Sequence, residues 1–217
     1  MDFLRQRRTL INHLRERGIT DERVLAAMSD VPREEFVPVG WRSQAYDDRA
    51  LPIDLNQTIS QPFTVAAMCS ALQLRGDEVI LEIGTGSGYG AAVLSNMART
   101  VHTVERHRPL AEAAAERLTR LEFDNVQVHC GDGSLGWPDA APFDAIIATA
   151  GGSHLPSAYG AQLVEGGHII IPLGPTPHRQ TLYRYTLRDG RLVCESLGEY
   201  AFVPLIGPDA WQNNDEE

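Results

Sequence analysis

Val79-Ile80-Leu81-Glu82-Ile83-Gly84-Thr85-Gly86-Ser87-Gly88-Tyr89-Gly90 is a short apolar run that ends in alternating glycines. A Val/Ile/Leu run without regular polar alternation reads as a strand buried on both faces, the pattern of parallel strands in α/β proteins. Glycine at alternate positions lets the chain turn tightly and lets a ligand approach the backbone. Ala91-Ala92-Val93-Leu94 then begins a helix whose N-terminal amides face that ligand.

The spacing departs from the dinucleotide fingerprint Gly-x-Gly-x-x-Gly, because position 89 is Tyr and glycines 88 and 90 flank it. An acid, Glu82, two residues before the first glycine of a Gly-x-Gly-x-Gly loop resembles motif I of S-adenosylmethionine-dependent methyltransferases instead. A cationic methyl donor tolerates a carboxylate that would repel a pyrophosphate. The bland alternative is a structural turn without a ligand, which four glycines in seven residues would only weaken.

A chain of 217 residues suits one α/β domain, or one with a modest appendage, and is long enough for a full core. Cys69, Cys130 and Cys194 are odd in number and lack metal-ligand spacing. That pattern points to a reducing compartment, read as the cytoplasm, with neither a disulfide framework nor a metal site. Met1 to Arg8 carries no apolar leader core, and no run is long enough to span a bilayer, so no membrane partner is expected. The net charge of -10 argues against a nucleic-acid partner. Arg5, Arg7, Arg8, Arg15 and Arg17 crowd the first helix, as a local basic patch or as a solvated helix face.

Periodicity predicts helices over 2–17, from Thr20-Asp21-Glu22 to Pro32 with Thr20 as cap, and from Pro62 through Leu72. Between them, 31–54 lacks a period but is rich in aromatics, which suits an ordered functional loop. In Gln57-Thr58-Ile59-Ser60-Gln61-Pro62 the hydroxyls and amides sit at a helix start; they can hold a carboxylate, or Ser60 simply caps the helix. Beyond the glycines, 91–97 and 109–121 read as helices, and strands follow at 101–105, 126–130 and 143–150. Glu105 ends its strand about 20 residues past the glycines, where nucleotide folds place a carboxylate for ribose hydroxyls. In Gly131-Asp132-Gly133 the Asp can accept from an adenine amino group or bind its own backbone as a turn residue. Gly151-Gly152-Ser153-His154 reads as a flexible exit where a substrate could sit, with His154 a general base or a bystander. A helix near 157–164, a strand at 168–172, a hairpin 181–187/191–197 turned by Asp189-Gly190, and a last strand at 200–206 complete the reading, before a frayed acidic tail at 212–217.

Taken together, these pieces closely resemble the protein-L-isoaspartate O-methyltransferases. The resemblance runs from Val31 to Gly207 and rests on Val31-Pro32-Arg33-Glu34, Phe36-Val37-Pro38, Ala45-Tyr46, Leu51-Pro52-Ile53, the Gln57 to Pro62 segment, Leu81 to Tyr89, Gly131-Asp132-Gly133, Phe143 to Ile146 and Phe202-Val203-Pro204-Leu205. The glycine loop alone indicates a methyltransferase; Thr58-Ile59-Ser60-Gln61-Pro62 after Leu51-Pro52-Ile53 is what is specific to this family. The resemblance implies a doubly wound Rossmann-like methyltransferase sheet, mostly parallel with antiparallel C-terminal strands in a rearranged order, plus an N-terminal helical subdomain. It divides the chain into a helical, substrate-binding part at 1–76, a donor-binding domain at 77–207 and a tail at 208–217.

It also implies that Ser60, with Thr58 and Gln57, contacts the isoaspartyl carboxylate. Glu82, Gly84, Thr85, Gly86, Ser87, Gly88, Glu105, Asp132 and Gly133 would hold S-adenosyl-L-methionine. The implied activity is methylation of L-isoaspartyl residues in damaged proteins or peptides, with a monomer as the expected form. Where family members usually carry small residues and then a Pro near position 153, this chain has Gly151-Gly152-Ser153-His154. That departure motivates an alternative acceptor, Asp carboxylates of a dedicated peptide. A third reading, of another class, is a donor-binding interaction protein without turnover.

Overall fold

In the computed structural model, which describes residues 2–176 and 179–212, two helices come first: α1 (Phe3–Glu16), burying Leu10, Ile11 and Leu14, and α2 (Glu22–Asp30), burying Val24, Leu25 and Met28. The cap of α2 is Asp21 rather than Thr20: one carboxylate oxygen accepts from the amides of Arg23 and Val24. A carboxylate there satisfies two free amides and opposes the helix dipole, which a hydroxyl cannot do. The aperiodic stretch that follows is ordered as two 3-10 turns, Arg33–Phe36 and Val39–Gln44. A two-residue antiparallel ladder, β1 (Leu51–Pro52) with β2 (Thr58–Ile59), comes next. That ladder is too short to leave a periodic signal, so only contacts reveal it.

From there the chain alternates. Helix α3 (Pro62–Leu72) leads to β3 (Val79–Ile83), α4 (Tyr89–Ser95), β4 (Thr100–Glu105), α5 (Arg108–Arg120), β5 (Val126–Cys130), β6 (Phe143–Ala148), α6 (Ser157–Ala161), β7 (Leu163–Thr176), β8 (Arg179–Arg188) and β9 (Arg191–Tyr200). The large sheet has the order β5-β4-β3-β6-β7-β8-β9. Neighbours are parallel from β5 to β7, and the last two pairings are antiparallel, so the terminal strands lie in chain order. Asp189 and Gly190, both at positive φ, turn the β8–β9 hairpin where the dipeptide predicts it.

The core lies in two layers, one on each face of the sheet. Ile80 packs with residues of α1, α2, α3 and α4, whereas Leu81 and Ile83 pack with Phe143, Ile146, Tyr159, Ile169 and Ile171. Successive side chains of a strand point to opposite faces, which is why a doubly covered strand reads as an unbroken apolar run. Glu82 shares the face of Ile80 and is carried into the layer beneath the helices.

Some boundaries differ from the sequence expectations. The helix expected at 157–164 stops at Ala161, and Leu163 already pairs with Phe143 in β7. The strand expected at 200–206 is not one: β9 ends at Tyr200, whose partner Gln180 lies one residue from the start of β8, so no ladder remains to extend. Residues 201–206 instead cross to Gly151, touching it through an isolated bridge at Pro204, which has no N–H to offer a sheet. The strand expected at 143–150 ends at Ala148. Most of the acidic tail, residues 213–217, lies outside the described residues.

Three of the five arginines at this end of the chain have side-chain partners, while Arg5 and Arg8 are exposed. Arg7 donates to Tyr46 and to the carbonyl of Ser29, Arg15 pairs with Glu22, and Arg17 pairs with Asp48. Among the described residues no helix is long and apolar enough to cross a membrane.

Candidate active site

The order of the sheet reverses between β3 and β6, and ligands of open α/β sheets bind in the crevice at such a reversal, beyond the carboxyl ends of the strands. A cleft of about 1290 Å³ opens there. The glycine loop after β3, Glu105 to His107 after β4, and Thr149-Ala150 after β6 form part of its lining. Gln57 to Gln61 and the irregular segment that follows β9 line it as well.

Gly84, Gly86 and Gly88 all have positive φ, +94°, +53° and +87°, as alternate glycines in a tight turn require. Thr149 braces this turn: its hydroxyl donates to the carbonyls of Ile83 and Gly84, at 3.1 and 2.8 Å, and a Cβ on Gly84 would collide with it. Glu105 is 5% exposed and supports the loop from the neighbouring strand, its two oxygens accepting from the amides of Gly86 (2.9 Å) and His107 (3.0 Å). Each oxygen keeps a lone pair, enough to accept a hydroxyl as well.

Glu82 is 1% exposed. Its Oε2 accepts from the Thr103 hydroxyl at 2.6 Å, and that hydroxyl lies 2.7 Å from Thr85 Oγ1. Its other oxygen lies against Gly90, where a Cβ would not fit. Burial pushes its pKa up to about 8; the Thr103 bond opposes the shift and the nearby Glu105 charge adds to it. Among the described residues no Lys, Arg or His forms an ion pair with Glu82. A buried acid that lines a cleft without a protein cation suits a positively charged ligand.

Elsewhere in the lining, the amino end of α3 is not capped by Ser60. Gln61 occupies the cap position without a side-chain bond, and Asp48 Oδ1 accepts from the Phe63 amide at 2.9 Å. Among the described residues the Ser60 hydroxyl has no hydrogen-bond partner. Its carbonyl is gripped instead by Arg33, which is wholly buried and donates to the carbonyls of Ser60 and Ala45, both at 2.8 Å. The Arg33 guanidinium also lies 4.6 Å from the ring centroid of Tyr89, at the start of α4. One side chain thereby ties the Ser60 segment to the helix after the glycine loop.

Of the residues singled out from the sequence, Gln57, Thr58, Ser60, Glu82, Gly84, Thr85, Gly86, Ser87, Glu105 and Gly133 line this one cleft. Gly88 and Asp132 do not. Gly88 lies against Leu118 and Ala114, where it brings α4 close to α5. Asp132 behaves as a turn residue, accepting from the Ser134 amide and hydroxyl at 2.9 and 2.8 Å. Gly133 sits so close to Ile83 that a Cβ would overlap its Cγ2. Gly133→Ala is expected to lower stability by about 1–3 kcal/mol, the usual cost of overpacking, measured by urea unfolding.

The exit loop is not part of the lining. Gly151 and Gly152 are buried and paired, Gly151 with the backbone of Val203 and Leu205, Gly152 with that of Pro172 and Gly174. His154 is exposed and faces Asp209 rather than the cleft. Arg33 and Thr149 are what sequence reasoning missed as site residues: Arg33 stood in a quoted motif with no role, and Thr149 follows a strand without any motif.

The sequence model of the family described as Protein-L-isoaspartate(D-aspartate) O-methyltransferase (PCMT) matches residues 5–210. The chain belongs to this family. Among its curated relatives, a protein-L-isoaspartate O-methyltransferase 1 of Rhodopseudomonas palustris (strain HaA2) is 51% identical over 213 residues, 96% of this chain and 86% of the relative. One from Roseiflexus castenholzii (strain DSM 13941 / HLO8) is 50% identical, covering 97% and 96%. A solved protein-L-isoaspartate O-methyltransferase aligns with TM-score 0.85 at 32% identity, covering 94% of this chain and 67% of the other. A Plasmodium falciparum structure described as an enzyme of this kind, in complex with S-adenosyl-L-homocysteine, aligns with TM-score 0.81 at 26% identity, covering 92% and 98%. The fold is the mostly parallel, Rossmann-like methyltransferase sheet with antiparallel C-terminal strands.

Proposed function

We infer that this protein transfers a methyl group from S-adenosyl-L-methionine to the free carboxylate of L-isoaspartyl residues in proteins or peptides, the first step of a repair through a succinimide. The observation that carries the reading is the cleft itself: Ser60, whose hydroxyl has no partner among the described residues, and the glycine loop with its buried acids line one space. The donor supplies an electrophilic methyl on a sulfonium. An acceptor carboxylate is already ionised at neutral pH, so the protein needs no general base. Its task is to align acceptor oxygen, methyl carbon and sulfur, which is where the entropic gain lies.

In this reading Glu82, the Gly84 to Ser87 loop, Glu105 and Gly133 hold the donor, with Glu105 accepting from the ribose hydroxyls and Asp132 at the turn beside them. Ser60, with Thr58 and Gln57, donates to the acceptor carboxylate. The division into an acceptor-side part at 1–76 and a donor-side part at 77–207 belongs to the same reading. So does a reducing, cytoplasmic setting, in keeping with three free cysteines.

The test is methyl transfer to an isoaspartyl peptide beside its aspartyl twin. Labelling of the isoaspartyl peptide alone is expected; equal labelling of both, or of neither, would sink the assignment. The dedicated-peptide alternative, motivated by the Gly151–His154 departure, would be favoured instead by labelling of a precursor peptide and not of isoaspartyl peptides. Ser60→Ala is expected to slow transfer about tenfold through loss of one hydrogen bond to a charged group. Donor affinity by calorimetry should stay unchanged, and a fall in it would contradict the role given to Ser60.

A further inference from the structure

A loop whose alternate residues are glycines at positive φ has much backbone freedom to lose, so its shape comes from what is bonded to it. Two fastenings come from strand ends: Thr149 on the carbonyls of Ile83 and Gly84, and Glu105 on the amide of Gly86. The third comes from a helix. Arg117, near the carboxyl end of α5, donates from Nη1 to the carbonyl of Ser87 at 2.8 Å. Ser87 belongs to the cleft lining and Arg117 does not, so the bonded carbonyl is turned out of the cleft towards α5. Helix α5 is held in place for this by Leu118 and Ala114, which are buried and lie against Gly88, the next residue of the loop. Arg117 is half-buried; burial and the neighbouring Arg120 lower its pKa, while Asp54 and Glu35 oppose the shift, and as a guanidinium it stays charged. Carboxylates are thus near at hand. Yet among the described residues its side chain forms no ion pair, and its only hydrogen bond goes to the Ser87 carbonyl. A charged donor on a carbonyl makes one of the stronger hydrogen bonds.

We propose that Arg117 is a positioning residue for the methyl donor: by holding the Ser87 carbonyl from behind, it keeps the glycine loop in its donor-binding shape before the donor arrives. Its place outside the lining means that it acts through Ser87 and not by contact with the donor. Fixing a binding loop in advance raises affinity because less order has to be created on binding. The proposal rests on the assignment of this loop to the donor given above, and its tests separate the two.

In the full-length protein, Arg117→Met is expected to raise the Kd for S-adenosylmethionine and for S-adenosylhomocysteine alike, about five- to tenfold, as for a loop that keeps its binding shape only about a tenth to a fifth of the time. The KM for the donor should rise with it, while kcat and the KM for an isoaspartyl peptide stay as in the parent. Arg117→Lys keeps a charged donor for a single bond and should recover most of the affinity; Arg117→Gln, neutral but still able to donate, should fall between. Arg120→Met removes a charge from the same helix end, from a side chain that bonds Glu35 instead, and should leave the donor Kd unchanged. Hydrogen exchange at the Gly88 amide, which closes the loop on the Thr85 carbonyl at 2.8 Å, should quicken in donor-free Arg117→Met and not in Arg120→Met. An unchanged donor Kd in Arg117→Met would overturn the role, whatever the exchange does. So would an equal loss in Arg120→Met, the mark of a general effect of charge, or a failure of lysine to recover affinity. Absence of donor binding by the unaltered protein would overturn the donor reading instead, leaving the exchange experiment to judge whether Arg117 holds the loop.

Discussion

Replacing Arg33 with methionine is expected to cost about 3 kcal/mol of stability and most of the methyl transfer. Arg33 is fully buried and supplies the donors for the carbonyls of Ala45 and Ser60. Methionine fills much of the space but leaves both carbonyls without their donor, at about 1–3 kcal/mol each. It also removes a cation from the face of Tyr89, worth about 0.5–2 kcal/mol. Relief of the guanidinium's own desolvation, which lowers its pKa in the folded protein, works the other way and keeps the net loss from reaching the sum. Lysine, with a single ammonium, can serve one carbonyl and should fall between the two. Urea unfolding measures the stability, and single-turnover transfer measures the effect on Ser60, whose backbone Arg33 holds. A methionine variant as stable and as active as the parent would show that the tie between the Ser60 segment and α4 is dispensable.

Glu82→Gln is expected to stabilise the donor-free protein at alkaline pH while weakening its hold on the donor. In the folded chain this carboxyl titrates near pH 8, with burial as the chief cause, against an unfolded value of about 4.3. A folded pKa above the unfolded one means that the folded state binds the proton more tightly. The contribution is therefore complete below about pH 4.3 and is lost as pH rises towards 8. Between pH 5 and pH 8 the donor-free protein should lose on the order of 3 kcal/mol through this group, and the Gln variant should not. S-adenosylmethionine brings positive charge and favours the ionised acid, so at pH 8 it should bind the Gln variant more weakly than the parent. Unfolding midpoints across that pH range, with calorimetry of donor binding, check both halves. Parallel stability curves for the two proteins would show that Glu82 is not titrating there.

The parts of the site that were legible in the sequence are those where local chemistry and position coincide. The glycine loop is read from its own residues, because positive φ at alternate positions is a demand that glycine alone meets cheaply. Glu105 is read from its distance to that loop, and the β8–β9 turn from Asp189-Gly190. Illegible were the bonds that join distant segments. Nothing around Asp48 announces that it takes over the amide that Ser60 was a candidate to cap. The last expected strand failed because an apolar run reports burial, and whether a neighbour remains to pair with is a property of the sheet.

By itself the sequence determined the α/β class, the donor-type loop and the family, since each rests on residue types at short, fixed spacings. The tertiary structure decided which of those residues share a cleft: it brought Ser60 and the glycine loop into one lining, with a buried arginine holding the Ser60 backbone, and left Gly88 and Asp132 outside that lining. It also moved the Gly151–His154 departure away from the lining and bonded its glycines to the backbone of Val203, Leu205, Pro172 and Gly174. The physical reason is that a side chain's partners across many residues of chain are chosen by burial and by the need to satisfy every buried polar group, and those demands exist only once the layers have closed.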